Sequence, residues 1–80
     1  MPPRKKNPSG FDPNHEEYPD HVYYDRLVSG GYYYFKLGQY QQAIEEYDKA
    51  IKRIRNEARG YNNRGNSYHA LGQYQRAIKD

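Results

Sequence analysis

The stretch KLGQYQQAIEEYDKAI, residues 36–51, recurs as ALGQYQRAIKD at residues 70–80. Taking Gly38 and Gly72 as markers, the two copies lie 34 residues apart. A fixed period of this length is typical of proteins built from stacked helix–turn–helix units. One unit cannot bury its apolar face alone. Function in such proteins therefore usually comes from the surface that stacking creates, and not from a catalytic pocket.

The composition separates a short N-terminal segment from a folded part. All five prolines lie within residues 1–19 and prevent a continuous helix there. The net charge of +3 corresponds to Arg4, Lys5 and Lys6, because the other ten basic residues balance the ten acidic ones. We predict a flexible or extended tail at 1–19, followed by a formally neutral domain.

The chain has no cysteine, which excludes disulfides and thiolate metal sites. No run of apolar residues is long enough to span a membrane, and residues 1–19 lack the apolar core of a secretory signal. These observations together favour a cytoplasmic protein without a membrane partner.

The apolar residues recur at the three- and four-residue steps of a helix. The pattern predicts helices at about 21–36, 39–55 and 58–70, the first beginning after Asp20 as a cap. Gly38 and Gly72 would end the first and third helices, in the manner of C-terminal glycines. A fourth helix is then predicted to begin near Gln73.

Residues 24–80 resemble the tetratricopeptide repeat family. That family has small residues at repeat positions 8, 20 and 27, aromatic residues at 11, 17 and 24, and Leu-Gly at 14 and 15. The first copy matches these positions with Gly31, Tyr34, Leu37, Gly38, Tyr40, Ala43, Tyr47 and Ala50. The second copy matches them with Gly65, Tyr68, Leu71, Gly72, Tyr74 and Ala77.

The resemblance implies an all-α fold of antiparallel helix–turn–helix repeats, a fragment of an α-solenoid with four helices, the last one truncated. We predict a first helix pair at 20–57 and a second, truncated pair at 58–80. The small residues would lie where paired helices approach closely, and the tyrosines would fill the spaces between the helices.

The resemblance also implies a non-catalytic module for protein–protein interaction, with a concave groove that holds a peptide. The groove residues carried over from the family are Val28, Tyr32, Phe35, Lys36, Arg59, Asn62, Asn66 and His69. The alternative is an ordinary solvated helix face. Chaperone-binding members clamp a C-terminal carboxylate with lysine, arginine and asparagine. The sequence disfavours that clamp, since Val28 and Tyr32 stand where a lysine and an asparagine are expected.

The end of the second copy leaves an apolar edge uncovered. Its residues Tyr74, Ala77 and Ile78 predict self-association into a homo-oligomer, with helix exchange (domain swapping) between chains as one route. The rival explanation is that the chain is a fragment of a longer array.

No residue pattern argues for catalysis, a metal or a cofactor. His15, His21 and His69 lack the paired spacing of metal ligands, and no serine stands in a nucleophile motif.

Two further readings stay open beside the protein-binding scaffold. The first is a nucleic-acid binder that uses Arg4, Lys5, Lys6 and exposed tyrosines, although helical phase places about half of the tyrosines in the core. The second is an engineered or truncated repeat unit built to assemble. Salt separates the first reading from a peptide groove, because nucleic-acid affinity falls steeply with ionic strength.

Overall fold

The computed structural model describes residues 19–79, which form three α-helices: α1 (Asp20–Lys36), α2 (Tyr40–Arg53) and α3 (Ala58–Lys79). Within this range the chain contains no β-strand. The predicted all-α fold of antiparallel helices is confirmed. The predicted tail lies outside the described residues, except for Pro19, which precedes α1.

The turn between α1 and α2 depends on one glycine. Gly38 adopts a positive φ of 78°, a conformation that a side chain would strain. The amides of Gly38 and Gln39 donate to the carbonyls of Phe35 (3.0 Å) and Tyr34 (2.9 Å). These hydrogen bonds satisfy carbonyl groups that the end of a helix leaves unpaired. The chain then reverses, and α2 packs back along α1.

The core lies mainly between α1 and α2. Its buried hydrophobic residues are Tyr24, Leu27, Val28, Ala43, Ile44, Tyr47, Ala50 and Ile51. The closest approach is at Gly31, where an added Cβ would lie 2.7 Å from Cζ and 2.8 Å from Cδ1 of Tyr47. Glycine is required there because the ring of Tyr47 occupies the space of a side chain.

α3 packs against this pair and is capped by it. The Gly60 amide, one of the orphan donors in the first turn of α3, donates to the Tyr24 hydroxyl at 2.7 Å. That hydroxyl donates in turn to the Glu57 carbonyl at 3.2 Å. The Arg59 amide donates to the Glu57 carboxylate at 3.2 Å. The side chain of Tyr24 therefore fixes where α3 begins relative to α1.

Ion pairs between exposed or half-exposed side chains also connect the helices. Arg64 of α3 contacts Asp48 of α2 at 2.8 Å, and Arg53 of α2 lies 3.5 Å from Asp20 of α1. Pairs this exposed contribute little energy but favour one alignment of the helices.

The predicted fourth helix is not confirmed. α3 continues through Gly72 to Lys79, so residues 58–79 form one helix where we predicted a truncated pair. Each residue added to a helix forms one more backbone hydrogen bond. A turn that interrupts the helix loses such bonds, and the packing of the residues after the turn has to compensate for that loss. Behind Gly38 the compensation comes from Ala43, Tyr47 and the other buried residues of α2. Behind Gly72, nothing within residues 19–79 packs against the segment in this way.

Two predicted helix ends also differ from the structure. Asp20 is the first residue of α1 and not its cap, and no side chain caps that end. α2 ends at Arg53, two residues before the predicted end, because Ile54 takes an extended conformation. None of the three helices has the length and apolar character needed to cross a membrane.

Candidate functional site

A small cavity lies where the three helices meet. It is lined by Tyr32 and Phe35 of α1, Tyr47 of α2, and Asn63 and Asn66 of α3, and has a volume of about 30 Å³. That space holds one or two water-sized groups. The cavity can therefore admit the tip of a small side chain, whereas a larger ligand has to lie across its mouth.

One wall of the cavity is aromatic. The rings of Tyr32 and Phe35 stack with centroids 6.3 Å apart and planes 17° from parallel. Tyr40 meets Phe35 edge to face at 5.5 Å and holds it from behind. Tyr32 is 51% exposed, so much of its ring is available to a ligand. This wall combines apolar contact area with a hydroxyl group.

Two asparagines of α3 also line the cavity. Asn63 and Asn66 lie three residues apart on α3, on neighbouring positions of the helix surface. In the described part of the chain, neither side-chain amide takes part in a hydrogen bond. Each amide offers two donors and one acceptor. The lining of the cavity therefore combines aromatic rings with hydrogen-bonding groups.

The charges around the site are largely paired. Arg59 binds the carboxylates of Asp25 at 2.7 Å and Glu57 at 3.1 Å. The hydrogen bonds from Arg59 lower the pKa of Glu57, and the two carboxylates raise the pKa of Arg59. Lys36 lies with its Nζ 5.8 Å from the ring centre of Tyr32, a cation–π contact.

The buried tyrosines stay neutral at physiological pH. Burial raises the pKa of both Tyr24 and Tyr47 above the usual value near 10. Tyr47, which lines the cavity, is therefore an uncharged phenol.

The structure brings together three of the predicted groove residues: Tyr32, Phe35 and Asn66. Lys36, Arg59, Asn62 and His69 are exposed but do not line the cavity. The His69 ring lies 3.1 Å from the Gln73 side chain. Val28 differs from the prediction, because its side chain is only 8% exposed and packs in the core, where a ligand cannot reach it.

Two residues of the cavity, Asn63 and Tyr47, are not among the groove residues predicted from the sequence. Asn63 was passed over although it lies one helical step from Asn66, and this spacing was the signal that could have found it. Tyr47 was assigned to the core, and it is 1% exposed. Only the coordinates show that its ring closes the cavity as well.

The predicted self-association edge lies on the last turns of α3. Tyr74 and Ile78 are 59% and 67% exposed, and Ala77 is also exposed. A contiguous exposed apolar edge on a repeat protein is a candidate contact surface.

The fold defines the class of helical interaction repeats. It consists of two antiparallel helices and a third helix stacked on them, with an open surface between the first and the third. The comparisons with known proteins identify the family within this class. A family model described as TPR repeat matches residues 31–72, more than half of the chain. The chain belongs to the tetratricopeptide repeat family.

Two curated relatives are Hsp70-Hsp90 organizing proteins by name. The Hsp70-Hsp90 organizing protein 3 of Arabidopsis thaliana is 35% identical over 65 residues, 81% of this chain. The Hsp70-Hsp90 organizing protein of Triticum aestivum is 36% identical over 69 residues, 86% of the chain. The chain spans only 12% of the length of either relative. No solved structure gives a significant match. The family and these relatives support a protein-interaction module.

Proposed function

We propose that the chain binds an extended peptide segment of a partner protein on the surface between α1 and α3, without catalysis. The observation that carries this proposal is the cavity between the helices that Tyr32 and Phe35 of α1 line together with Asn63 and Asn66 of α3. Asn62 and Lys36, exposed nearby in sequence, extend the proposed surface.

A peptide matches this arrangement in both of its chemical parts. Its backbone supplies carbonyl and amide groups that the asparagine side chains can bond in either direction. A small apolar side chain can enter the cavity and bury area against the stacked rings. Because the cavity is small, most of the contact comes from the mouth, and we expect affinities in the micromolar range or weaker.

The names of the relatives state that they organise Hsp70 and Hsp90. We extend to this chain only the class of partner, a protein, and not those chaperones. The burial of Val28 and the pairing of Arg59 with two carboxylates argue against recognition of a carboxylate as the main anchor.

An array of twelve-residue synthetic peptides, probed with the labelled chain, tests the proposal. We expect a subset of spots to bind the wild type and to lose at least five-fold of their signal with Tyr32→Ala or Asn66→Ala. Tyr33→Ala is the matched control, because Tyr33 is 64% exposed on the same helix and does not line the cavity. Equal binding by Tyr32→Ala and the wild type, or no binding above background, would overturn the proposal.

A second candidate function is self-association through Tyr74, Ala77 and Ile78. The exposure of Tyr74 and Ile78 favours it. Sedimentation velocity between 10 and 500 µM tests it: we expect a concentration-dependent rise in mass that Tyr74→Ser with Ile78→Ser removes. A monomer over the whole range would refute it. Loss of assembly with peptide binding intact would favour the reading of a repeat unit built to assemble.

Nucleic-acid binding is the alternative with the least support. Arg4, Lys5 and Lys6, on which it depends, lie outside the described residues, and several exposed tyrosines are its other element. Affinity for a single-stranded oligonucleotide that falls steeply between 50 and 200 mM salt would favour this alternative. The cytoplasmic location and the absence of a metal or cofactor stay predictions.

A further inference from the structure

The second half of α3 is only partly covered by the other two helices. Gly60 and Ser67, in the first half, are buried, and Ala70 and Leu71 are half-buried. From Gln73 to Ile78 every side chain is exposed. We call residues 70–78 the arm of α3. Burial therefore decreases along the arm, although the helix continues without a break.

The buried face of α3 continues along the arm as an apolar stripe. Tyr74 lies seven residues, or two helical turns, after the buried Ser67. Ile78 follows Leu71 at the same spacing, so each of these pairs falls on one side of the helix. Ala77, three residues after Tyr74, stands at the edge of that side. An exposed apolar stripe in register with a buried one is a surface that a further helix can cover.

The stripe is complementary to a second copy of itself in antiparallel orientation. When Tyr74 of both copies lies on a two-fold axis, the positions that meet are equally far from Tyr74 on its two sides. Leu71 then meets Ala77 of the second copy, and Ala70 meets Ile78 of the second copy. Each large side chain faces a small one, so the two helices can approach closely and leave no void.

The charges of the arm are compatible with this pairing. Arg76 is the one charged residue in the sequence of the arm. It lies two residues after Tyr74, which places it on the opposite side of the helix from the stripe. In the antiparallel arrangement Arg76 is level with Gly72 of the second copy and not with another cation. No like charges therefore meet across the contact.

We infer that the arms of two chains pack antiparallel on each other and form a closed two-fold dimer, through Ala70, Leu71, Tyr74, Ala77 and Ile78. The inference rests on the proposed self-association and gives it a partner surface and an end point. Because each arm uses its whole stripe on one neighbour, assembly stops at two chains and does not continue into a fibre. The arm is shorter than the roughly 20–30 residues that each side of a standard interface contributes, so we expect a dissociation constant of about 10–100 µM.

Single-cysteine variants of the full chain test the inference, because the chain has no cysteine of its own. At about 200 µM in a glutathione redox buffer, Tyr74→Cys should cross-link to a dimer, since residue 74 meets itself on the axis within disulfide reach. Ala70→Cys and Ala77→Cys are the matched controls. Each should cross-link with itself at least five-fold less, because the two copies of these residues lie roughly 9–12 Å apart along the helices.

A mixture of two variants tests the register with Tyr74 kept in both chains. Leu71→Cys mixed with Ala77→Cys should give a disulfide between the two different chains, at least five-fold above either self-linked product. Intact-mass spectrometry distinguishes the three products by their masses, and circular dichroism checks that each variant keeps the helical content of the wild type.

Sedimentation of the wild type separates this inference from self-association in general. We expect the mass to rise with concentration and to level off at two chains. Growth beyond two chains, or cross-linking of Ala70→Cys and Ala77→Cys as efficient as that of Tyr74→Cys, would overturn the antiparallel dimer and leave self-association standing. A monomer at every concentration up to about 500 µM would overturn both, since that limit exceeds the expected dissociation constant.

Discussion

The pentapeptide Leu-Gly-Gln-Tyr-Gln occurs twice and has two structures. At 37–41 it forms a turn: Gly38 has φ of 78°, and α2 begins at Tyr40. At 71–75 the same five residues lie inside α3, and Gly72 keeps a negative φ. Local sequence cannot explain the difference, because it is identical. The difference arises from what the following residues pack against.

The two glycines at repeat position 8 show the same contrast. Gly31 is buried and the ring of Tyr47 packs directly on it, whereas a Cβ added at Gly65 would meet nothing within 4 Å. Tyr47 follows the first turn by nine residues. At the second copy, nothing within residues 19–79 packs onto Gly65. In this chain the closed helix pair is the one in which an aromatic residue of the second helix, Tyr47, packs on the glycine of the first.

The largest effect is expected from this pair of glycines. Gly31→Ala overpacks the contact with Tyr47 and should lower the free energy of unfolding by about 1–3 kcal/mol. Gly65→Ala meets open space and should raise it by about 0.5–1 kcal/mol, because alanine is the better helix former. Urea unfolding measures both. Equal effects at the two positions would contradict the difference in packing.

The Tyr24 hydroxyl of the first copy hydrogen-bonds the start of α3 in the second copy, and removing this hydroxyl tests how much the contact contributes to stability. Tyr24→Phe leaves the buried Gly60 amide without its acceptor, which should cost about 1–2 kcal/mol of unfolding free energy. Tyr33→Phe, at an exposed position of the same helix, is the matched control and should change little. The same urea experiment applies, and a neutral Tyr24→Phe would mean that α3 is not held by this hydrogen bond.

The turn glycines form a further matched pair. Gly38→Ala forces a side chain into a left-handed conformation and should cost about 1 kcal/mol. Gly72→Ala should stabilise α3 by up to about 1 kcal/mol and increase helical circular dichroism. If Gly72→Ala proves as destabilising as Gly38→Ala, the second copy also forms a turn and α3 is not continuous.

The smallest effect concerns the Glu57 carboxylate, at the junction of the two copies. Arg59 lowers its pKa, so the contribution to stability is present above the unfolded pKa near 4.5 and is lost as the pH falls through the lower folded value. The wild type should therefore exceed Glu57→Gln in urea midpoint at pH 7, and the two should converge below about pH 4. In an Arg59→Gln background the difference at pH 7 should become smaller without disappearing, because the backbone amide of residue 59 still donates to the Glu57 carboxylate. A difference that is constant with pH would contradict the ion pair.

Much of the fold follows from the sequence, because helical periodicity and the 34-residue offset are local or repeated signals. The steps between Tyr24, Leu27 and Gly31 predict one helix face, and the structure buries all three residues. The end of α3 could not be predicted in this way. A glycine such as Gly72 permits a turn without requiring one, and the decision depends on distant packing.

The candidate site was less predictable than the fold. Helical phase selects the exposed face that contains Tyr32 and Asn66, but it cannot tell which residues of that face meet across α1 and α3. Val28 was expected in the groove because repeat position alone does not give burial, whereas its side chain packs in the core with residues of α1 and α2. Tyr47 is a core residue that also lines the cavity. Helical periodicity assigns a residue either to the buried face or to the exposed face, so it could not predict both roles.

The central claim is that one motif takes two structures because, within residues 19–79, only its first copy is followed by a helix that packs back on the preceding one. Nuclear Overhauser contacts between Hα of residue i and the amide of residue i+3 test it most directly. The account predicts an unbroken series of these contacts across Gly72 and an interrupted series across Gly38. Interruption at both glycines, with contacts between the rings of Tyr68 and Tyr74 and a helix folded back after Gly72, would contradict it.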